Sequence, residues 1–273
     1  MAFGLLALLK RERDGFVIPC RYADAARAAV PAALYSPLEV PFREAEPRFL
    51  DLLDAIDRHA AVLLAIGGEP PPAPRWRQDW FPRLDAAAAY ALMRVRPPSL
   101  LVEVGSGHST RWFARAAADS GHPTRVIAID PAPRATLAGL RIEIIRSKVQ
   151  DAGDAPFAGL AAGDMLSIDG GHVLTPGTDV DFLLNRVLPL LPAGVLVHIH
   201  DVFLPEGYPA EWAWRGYNEQ LAVAAMLQGR GYQILWSSHW VATRLQGRLA
   251  RSVTADLPLL LGAHESSLWL EKR

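Results

Sequence analysis

Length, composition and charge restrict the classes of protein to which this chain can belong. The 273 residues are 51% hydrophobic, which is enough for a large core, and the formal net charge is −1, so no overall basic field is available to hold a nucleic-acid backbone. A single cysteine, Cys20, excludes an internal disulfide and a cysteine-rich metal site. The apolar run 2–9 is too short to span a bilayer and lacks the pattern of a signal peptide. We therefore expect a soluble, cytoplasmic protein that binds neither nucleic acid nor membrane.

The spacing of apolar residues predicts helices within the first 79 residues. Apolar residues between Phe49 and Leu64 recur at helical spacing, with acidic residues between them. The pair Gly67-Gly68 is expected to end this helix, and the proline-rich run 70–74 is expected to form a stiff linker. We place a boundary there, with a helical N-terminal extension over residues 1–79 and a second domain over residues 80–273.

After the linker, short apolar runs alternate with amphipathic stretches. This alternation predicts an α/β fold of Rossmann-like type, in which a mostly parallel sheet of seven strands is covered by helices on both faces. The predicted strands are 100–104, 125–129, 143–145, 165–168, 195–199, 233–237 and 267–270. The predicted helices are 84–95, 110–118, 135–140, 156–161, 180–190 and 219–228. Ligands of such sheets bind beyond the carboxyl ends of the strands, so the residues after each strand are the candidates for a site.

A glycine turn follows the first predicted strand and begins a helix. Residues 103–110 have the sequence E-V-G-S-G-H-S-T, in which two glycines allow a tight turn and a hydroxyl can cap the helix while N–H groups stay free for a ligand. Asp130 ends the second strand, about 20 residues further on, where a carboxylate can accept ribose hydroxyls. The pattern predicts a ligand that contains a nucleoside.

Two residues disfavour a dinucleotide as this ligand. Thr110 stands where the G-x-G-x-x-G pattern has its third glycine. Glu103 would repel a pyrophosphate, but it could pair with an ammonium group. A nucleoside with a positively charged amino-acid tail fits this turn better, and a packed turn with no ligand is the alternative.

The glycine turn and Asp130 resemble the first two motifs of class I S-adenosylmethionine-dependent methyltransferases. Three later segments are similar to a subgroup of that class, the macrocin-type and cephalosporin-tailoring O-methyltransferases. These segments are S-I-D-G-G-H at 167–172, H-I-H-D at 198–201 and N-E-Q at 218–220. The resemblance runs from about residue 80 to the C-terminus. It implies a methyltransferase fold and an enzyme that methylates a hydroxyl of a small molecule or sugar. Whether copies of the chain associate stays open.

The resemblance also implies roles for residues around the cofactor. Glu103 is expected to hold the methionine amino group, Asp130 to hold the ribose, and Gln150 or Asp151 to bind the exocyclic amine of the adenine. The backbone of the glycine turn is expected to approach the cofactor closely. The full predicted cofactor set is Glu103, Gly105, Ser106, Gly107, Ser109, Asp130, Gln150 and Asp169.

A cation site and a general base are predicted at the ends of the fourth and fifth strands. Asp169, His200 and Asp201 could hold an octahedral divalent cation such as Mg²⁺, but the similar enzymes have an acid where this chain has His200. That difference leaves Mg²⁺ open and favours a metal that accepts imidazole. His172 matches the base of the similar enzymes, because an imidazole can take a hydroxyl proton near neutral pH; packing within the turn is an equal alternative. His198 is expected in the core.

Other functions stay open on the sequence alone. The alternatives are a dinucleotide-dependent oxidoreductase, which nicotinamide binding would support, and a cofactor-binding module without catalysis, which an empty acceptor screen would support. Trp212 and Trp214, after the fifth strand, are expected to line an acceptor pocket or to form a lid.

Overall fold

The computed structural model describes residues 35–273. The predictions that fall on residues 1–34, including those for Cys20, the apolar run and the start of the N-terminal extension, lie outside the described residues. The α-helices are α1 Glu39–Arg58, α2 Ala60–Ala65, α3 Arg83–Val95, α4 His108–Ser120, α5 Val149–Ala152, α6 Asp179–Phe182, α7 Leu188–Leu190, α8 Glu219–Gln228, α9 Ser238–Arg244 and α10 Gln246–Leu249. A π-helical turn, Leu183–Val187, joins α6 to α7. Short 3₁₀ helices lie at Ser36–Leu38, Ala155–Phe157, Ala210–Arg215 and Val253–Ala255.

Seven strands form one sheet. They are β1 Leu100–Val104, β2 Arg125–Ile129, β3 Glu143–Ile145, β4 Met165–Ile168, β5 Leu196–Ile199, β6 Tyr232–Ser237 and β7 Leu268–Lys272. Their order is β3-β2-β1-β4-β5-β7-β6, and β7 alone runs antiparallel to both of its neighbours. The predicted fold class, a mostly parallel seven-stranded α/β sheet with helices on both faces, is therefore confirmed.

The central strands are buried because the helices cover both sides of the sheet. All four residues of β4 and all four of β5 are buried, and in β1 only Leu100 is partly exposed. Such strands are continuous apolar runs rather than alternating ones. The order of the strands places the carboxyl ends of β1, β2, β4 and β5 along one edge of the sheet, and the candidate site lies at that edge.

Two predicted helices are wrong. Residues 135–140 form turns, because prolines precede them and Gly139 adopts a φ of +93° within the segment. Residues 156–161 form no α-helix either; only the short 3₁₀ helix Ala155–Phe157 is present. The predicted helix 110–118 begins earlier, at His108, and ends at Ser120 before Gly121, whose φ is +70°.

The N-terminal helices pack against the sheet. Phe49 of α1 meets Trp236 of β6 edge to face, with ring centroids 6.0 Å apart, and Arg48 Nε donates to the Ile234 carbonyl at 2.7 Å. The helix prediction for residues 49–64 is confirmed, with a break at His59 between α1 and α2. The boundary at residue 79 stays a prediction. Among residues 35–273, no helix has the length and hydrophobicity needed to cross a membrane.

Candidate functional site

The glycine turn after β1 is packed against the turn that follows β4. Gly105 has a φ of +81°, and a β-carbon there would collide with the Asp169 carbonyl oxygen. Asp169 N donates to the Val104 carbonyl at 2.8 Å, and Gly105 N donates to the Ile129 carbonyl at 3.0 Å. Only glycine can occupy position 105, since any side chain would force these two turns apart.

Glu103 lies beneath the glycine turn and is fully buried. Its two carboxylate oxygens accept hydrogen bonds from Ser109 Oγ at 2.5 Å and from Thr110 Oγ1 at 2.6 Å. Thr110 Oγ1 in turn accepts from Gly107 N at 2.9 Å. Burial raises the pKa of Glu103 to about 8, although both hydroxyl hydrogen bonds oppose the rise. The Thr110 hydroxyl thus links Gly107 N to Glu103, a contact that a third glycine at this position could not make.

Asp130 faces the opposite side of the same turn. Its Oδ2 accepts from Ser106 N at 2.7 Å and Ser106 Oγ at 3.0 Å, and its Oδ1 accepts from Ala132 N at 2.7 Å. Because each carboxylate oxygen has two acceptor sites, Oδ1 keeps one for a further donor. A β-carbon on Gly107 would have no atom within 4 Å, so the backbone here is open to a ligand.

The remaining predicted cofactor residues differ in position. Ser109 is buried and its hydroxyl is engaged with Glu103, whereas Ser106 and Gly107 lie on the open side of the turn. Gln150 lies in α5, after β3, and its Nε2 donates to the Gly177 carbonyl at 3.1 Å. The structure therefore brings Ser106, Gly107 and Asp130 together, with Glu103 and Ser109 behind them.

A second group of four side chains lies at the ends of β4 and β5. His172 Nε2 is 3.3 Å from Asp169 Oδ1 and 3.4 Å from Asp201 Oδ2. His200 Nδ1 is 3.5 Å from Asp169 Oδ1 and 3.4 Å from Asp201 Oδ1. We refer to His172, Asp169, His200 and Asp201 as the Asp/His cluster. Within it, the candidate ligand atoms of Asp169, His200 and Asp201 all lie within 4.8 Å of one another.

Each imidazole of the cluster is held from behind by a buried carboxylate. Glu219, at the start of α8, lies 2.9 Å from His172 Nδ1. Asp85, near the start of α3, lies 3.1 Å from His200 Nε2 and accepts from the backbone N–H groups of Ser266 and Ser267. Both acids were missed as site residues. Glu219 lies within the similar segment 218–220, but Asp85 has no motif; its one signal is an acid on the otherwise buried, alanine-rich face of α3.

The neighbouring carboxylates raise the pKa of both imidazoles. Burial acts to lower the pKa of His172, but hydrogen bonds to Asp169 and Glu219 and the charge of Asp201 raise this pKa well above its ordinary value. Burial likewise opposes the rise at His200, where the charges of Asp169 and Asp201 and the hydrogen bond to Asp85 raise the pKa. His198 differs: burial lowers its pKa to about 3, and it lies in the core between Ser167 and Ser267, as predicted.

The backbone is strained at the Asp/His cluster. His172 and Asp201 have φ values of 56° and 57°, and within residues 35–273 Arg230 is the one other non-glycine residue with a positive φ. Left-handed backbone at non-glycine residues costs free energy and concentrates at functional sites. The strain is held in place at His172, since its carbonyl accepts from Asn218 N and Glu219 N at 3.1 and 3.2 Å.

Aromatic side chains from the segment after β5 lie beside the cluster. The Tyr217 ring lies 4.6 Å from the His172 ring, and Trp212 and Tyr217 meet edge to face at 6.0 Å. Arg215 lies over Trp212, with its guanidinium carbon 4.1 Å from the ring centroid. Trp214 is 79% exposed. An acceptor pocket lined by Trp212 stays a prediction, and Tyr217 was not predicted to contact the cluster.

Comparisons with known proteins bear on this edge of the sheet. Residues 102–202 match a family model described as a methyltransferase domain. No curated protein matches the chain. A solved structure of the SAH-bound methyltransferase PaMTH1 of Podospora anserina is 15% identical, with 95% of this chain and 99% of that one covered and a TM-score of 0.44. The O-methyltransferase TomG of Streptomyces achromogenes, involved in tomaymycin synthesis and solved with SAM, is 18% identical, with 81% and 88% covered and a TM-score of 0.43.

The family match covers the glycine turn, Asp130 and the Asp/His cluster. The glycine turn and Asp130 indicated a resemblance to class I S-adenosylmethionine-dependent methyltransferases. The family match, together with the sheet order, confirms this resemblance. The match identifies a methyltransferase domain within the chain, over residues 102–202. The oxidoreductase alternative is thereby disfavoured.

Proposed function

We propose that the enzyme transfers a methyl group from S-adenosylmethionine to a hydroxyl oxygen of a small molecule or sugar. One observation carries the proposal. The Asp/His cluster directly adjoins the glycine turn, because Asp169 belongs to the cluster while its backbone packs against Val104 and Gly105. Groups that can bind and deprotonate an acceptor thus lie where the cofactor and the acceptor must meet.

The residues around the glycine turn fit the cofactor. Asp130 Oδ1 has an acceptor site left for a ribose hydroxyl, and the backbone at Ser106 and Gly107 can approach the cofactor closely. Gln150 is proposed to lie near the adenine. Direct contact between Glu103 and the methionine amino group stays a prediction, since the contacts of Glu103 in this structure favour a role in shaping the turn.

His172 is the proposed general base. The acceptor oxygen attacks the methyl carbon in line with the carbon–sulfur bond, which breaks to leave S-adenosylhomocysteine, while the hydroxyl proton leaves the acceptor. His172 Nε2 is the atom proposed to take this proton. Glu219, 2.9 Å from Nδ1, fixes the ring and stabilises the imidazolium that forms. The neighbouring carboxylates raise the pKa of His172 and so favour its imidazolium form over the base form.

Asp169, His200 and Asp201 are proposed to hold a divalent cation. The side chains fit such an ion, since nitrogen and carboxylate donors within 4.8 Å of one another are spaced as ligands of one ion. A cation there would orient the acceptor hydroxyl and lower its pKa. His172 would remain beside the bound hydroxyl to receive the proton.

Calorimetric titration with S-adenosylhomocysteine tests the cofactor part of this proposal. The wild-type chain is expected to bind, and Asp130→Asn is expected to weaken binding at least about tenfold, because a charged acceptor is worth about 1.5–3 kcal/mol. Asp154→Asn is the matched control, because Asp154 is an exposed carboxylate paired with Arg186; its affinity should equal that of the wild type. An absence of binding, or an unchanged affinity in Asp130→Asn, would contradict the proposal.

A screen of hydroxylated small molecules with labelled S-adenosylmethionine tests the transfer. Once an acceptor is found, His172→Gln should lower kcat by about 10²–10⁴-fold and leave affinity for S-adenosylhomocysteine unchanged. Methylation of nitrogen or carbon rather than oxygen would overturn the proposed acceptor class while leaving the enzyme class intact.

A further inference from the structure

We propose that the Asp/His cluster selects a cation that accepts imidazole, such as Fe²⁺, Co²⁺, Ni²⁺ or Zn²⁺, in preference to Mg²⁺. We further propose that Asp85 is the positioning residue that presents His200 to this cation. The inference rests on the proposed cation site of the methyltransferase, and it assigns both the class of metal and a residue outside the family match, 102–202.

The donor atoms converge on one point. His200 Nδ1 lies 3.4 Å from Asp201 Oδ1 and 3.5 Å from Asp169 Oδ1. Nitrogen and oxygen donors bind a first-row divalent ion at about 2.0–2.2 Å, so two donors of one ion lie about 3 Å or slightly more apart. The three side chains are therefore already spaced as ligands, without a change in the backbone.

Asp85 fixes which nitrogen of His200 faces the cluster. It is fully buried, and its carboxylate lies 3.1 Å from His200 Nε2. The N–H groups of Ser266 and Ser267 hold this carboxylate in place at 3.1 and 2.9 Å. With the Nε2 proton directed to Asp85, the lone pair of a neutral His200 is on Nδ1 and points to Asp169 and Asp201. A carboxylate behind an imidazole is the usual arrangement for a histidine that binds metal.

The second imidazole adds another nitrogen to the surroundings of the site. His172 is held by Glu219 in the same manner, and its Nε2 lies 3.3 Å from Asp169 Oδ1. Mg²⁺ prefers six oxygen ligands in near-ideal octahedral geometry, whereas imidazole suits iron, nickel, copper and zinc. One of the three proposed ligands, His200, offers nitrogen, and His172 places a second imidazole beside them, so the site disfavours Mg²⁺.

Titration of the full chain with Co²⁺ after treatment with a chelator tests the inference. Binding is followed by calorimetry and by visible absorption, and Mg²⁺ is titrated in parallel. The wild type should bind Co²⁺ at least about 100-fold more tightly than Mg²⁺. His200→Glu supplies oxygen in place of nitrogen, so the ratio of Co²⁺ to Mg²⁺ affinity should fall at least about tenfold. His122→Gln, a histidine at Ser99 outside the cluster, should leave both affinities unchanged.

The role of Asp85 is tested in the same assay. Asp85→Asn keeps a carbonyl oxygen for the backbone N–H donors but removes the charge, and Co²⁺ affinity should fall by about 10–100-fold. Unchanged affinity for S-adenosylhomocysteine shows that the variant is folded; if it fails to fold, His200→Glu decides the inference alone.

Two results would overturn the inference. One is binding of S-adenosylhomocysteine with no Co²⁺ binding, which would make the cluster an ion-pair network and leave the methyltransferase function standing. The other is a Co²⁺ to Mg²⁺ ratio that His200→Glu does not change. Loss of cofactor binding in the wild type would instead contradict the proposed function.

Discussion

Gly105 and Gly107 occupy the same turn but have different structural roles. Gly105 combines a left-handed φ of +81° with contact against the Asp169 carbonyl, so it couples the glycine turn to the Asp/His cluster. Gly107 has a φ of 178°, an extended value that any residue adopts, and a β-carbon on it would meet nothing within 4 Å. Gly105 is therefore required by the fold, whereas Gly107 leaves open space beside the turn.

A pair of alanine variants separates these roles. Gly105→Ala should lower the free energy of unfolding by about 3 kcal/mol or more, because it adds both backbone strain and a backbone collision. Gly107→Ala should change stability by less than about 1 kcal/mol, yet weaken binding of S-adenosylhomocysteine. Urea unfolding and calorimetry measure the two effects. Equal stability losses in the two variants would contradict this division.

Helix α1 depends on its packing against β6 and α9. Its Phe49 ring is fully buried against Trp236, and its Phe42 ring stacks on Trp240 of α9 at 5.6 Å. Trp240 Nε1 also donates to Glu46 of α1 at 3.0 Å. These contacts join α1, which lies outside the family match, to β6 and α9.

Truncation of one buried ring of α1 should therefore destabilise the whole chain. Phe49→Ala should cost about 3–5 kcal/mol in urea unfolding, as expected for a large buried ring that leaves a cavity. Its neighbour Leu50 is 39% exposed, so Leu50→Ala should cost less than about 1 kcal/mol. A small effect at Phe49 would show that α1 contributes little to the core.

The strands and the glycine turn could be predicted from the sequence because their signals are local. Buried runs such as 100–104 and 165–168 alternate with helical stretches, and the glycine turn lies directly after β1. The helix prediction for residues 135–140 was wrong, because the prolines before this segment and Gly139 within it override its helical spacing. The contacts of Asp85 depend on tertiary structure: it meets His200 across 115 residues of chain, and no spacing in the sequence indicates that contact.

At the scale of the whole molecule, one core joins the N-terminal helices to the sheet. Buried residues from Leu38 to Trp76 and from Leu84 to Leu270 belong to the same hydrophobic cluster. Asp57 of α1 accepts from Ser252 Oγ and Val253 N at 2.6 and 2.8 Å, which adds a polar contact between the two parts. The described part of the predicted extension thus shares its core with the sheet.

A shared core predicts that both parts unfold together. Tryptophan fluorescence, to which Trp236 and Trp240 beside α1 contribute, and far-ultraviolet circular dichroism should give coincident urea transitions. S-adenosylhomocysteine at 100 times its Kd, bound at the proposed site on the sheet, should raise the free energy of unfolding by about 2.7 kcal/mol with either probe. Asp130→Asn, tested at the same ligand concentration, should show a smaller rise. If residues up to 79 instead form an independent domain, the two transitions will separate, and the ligand will shift only the one that reports on the sheet.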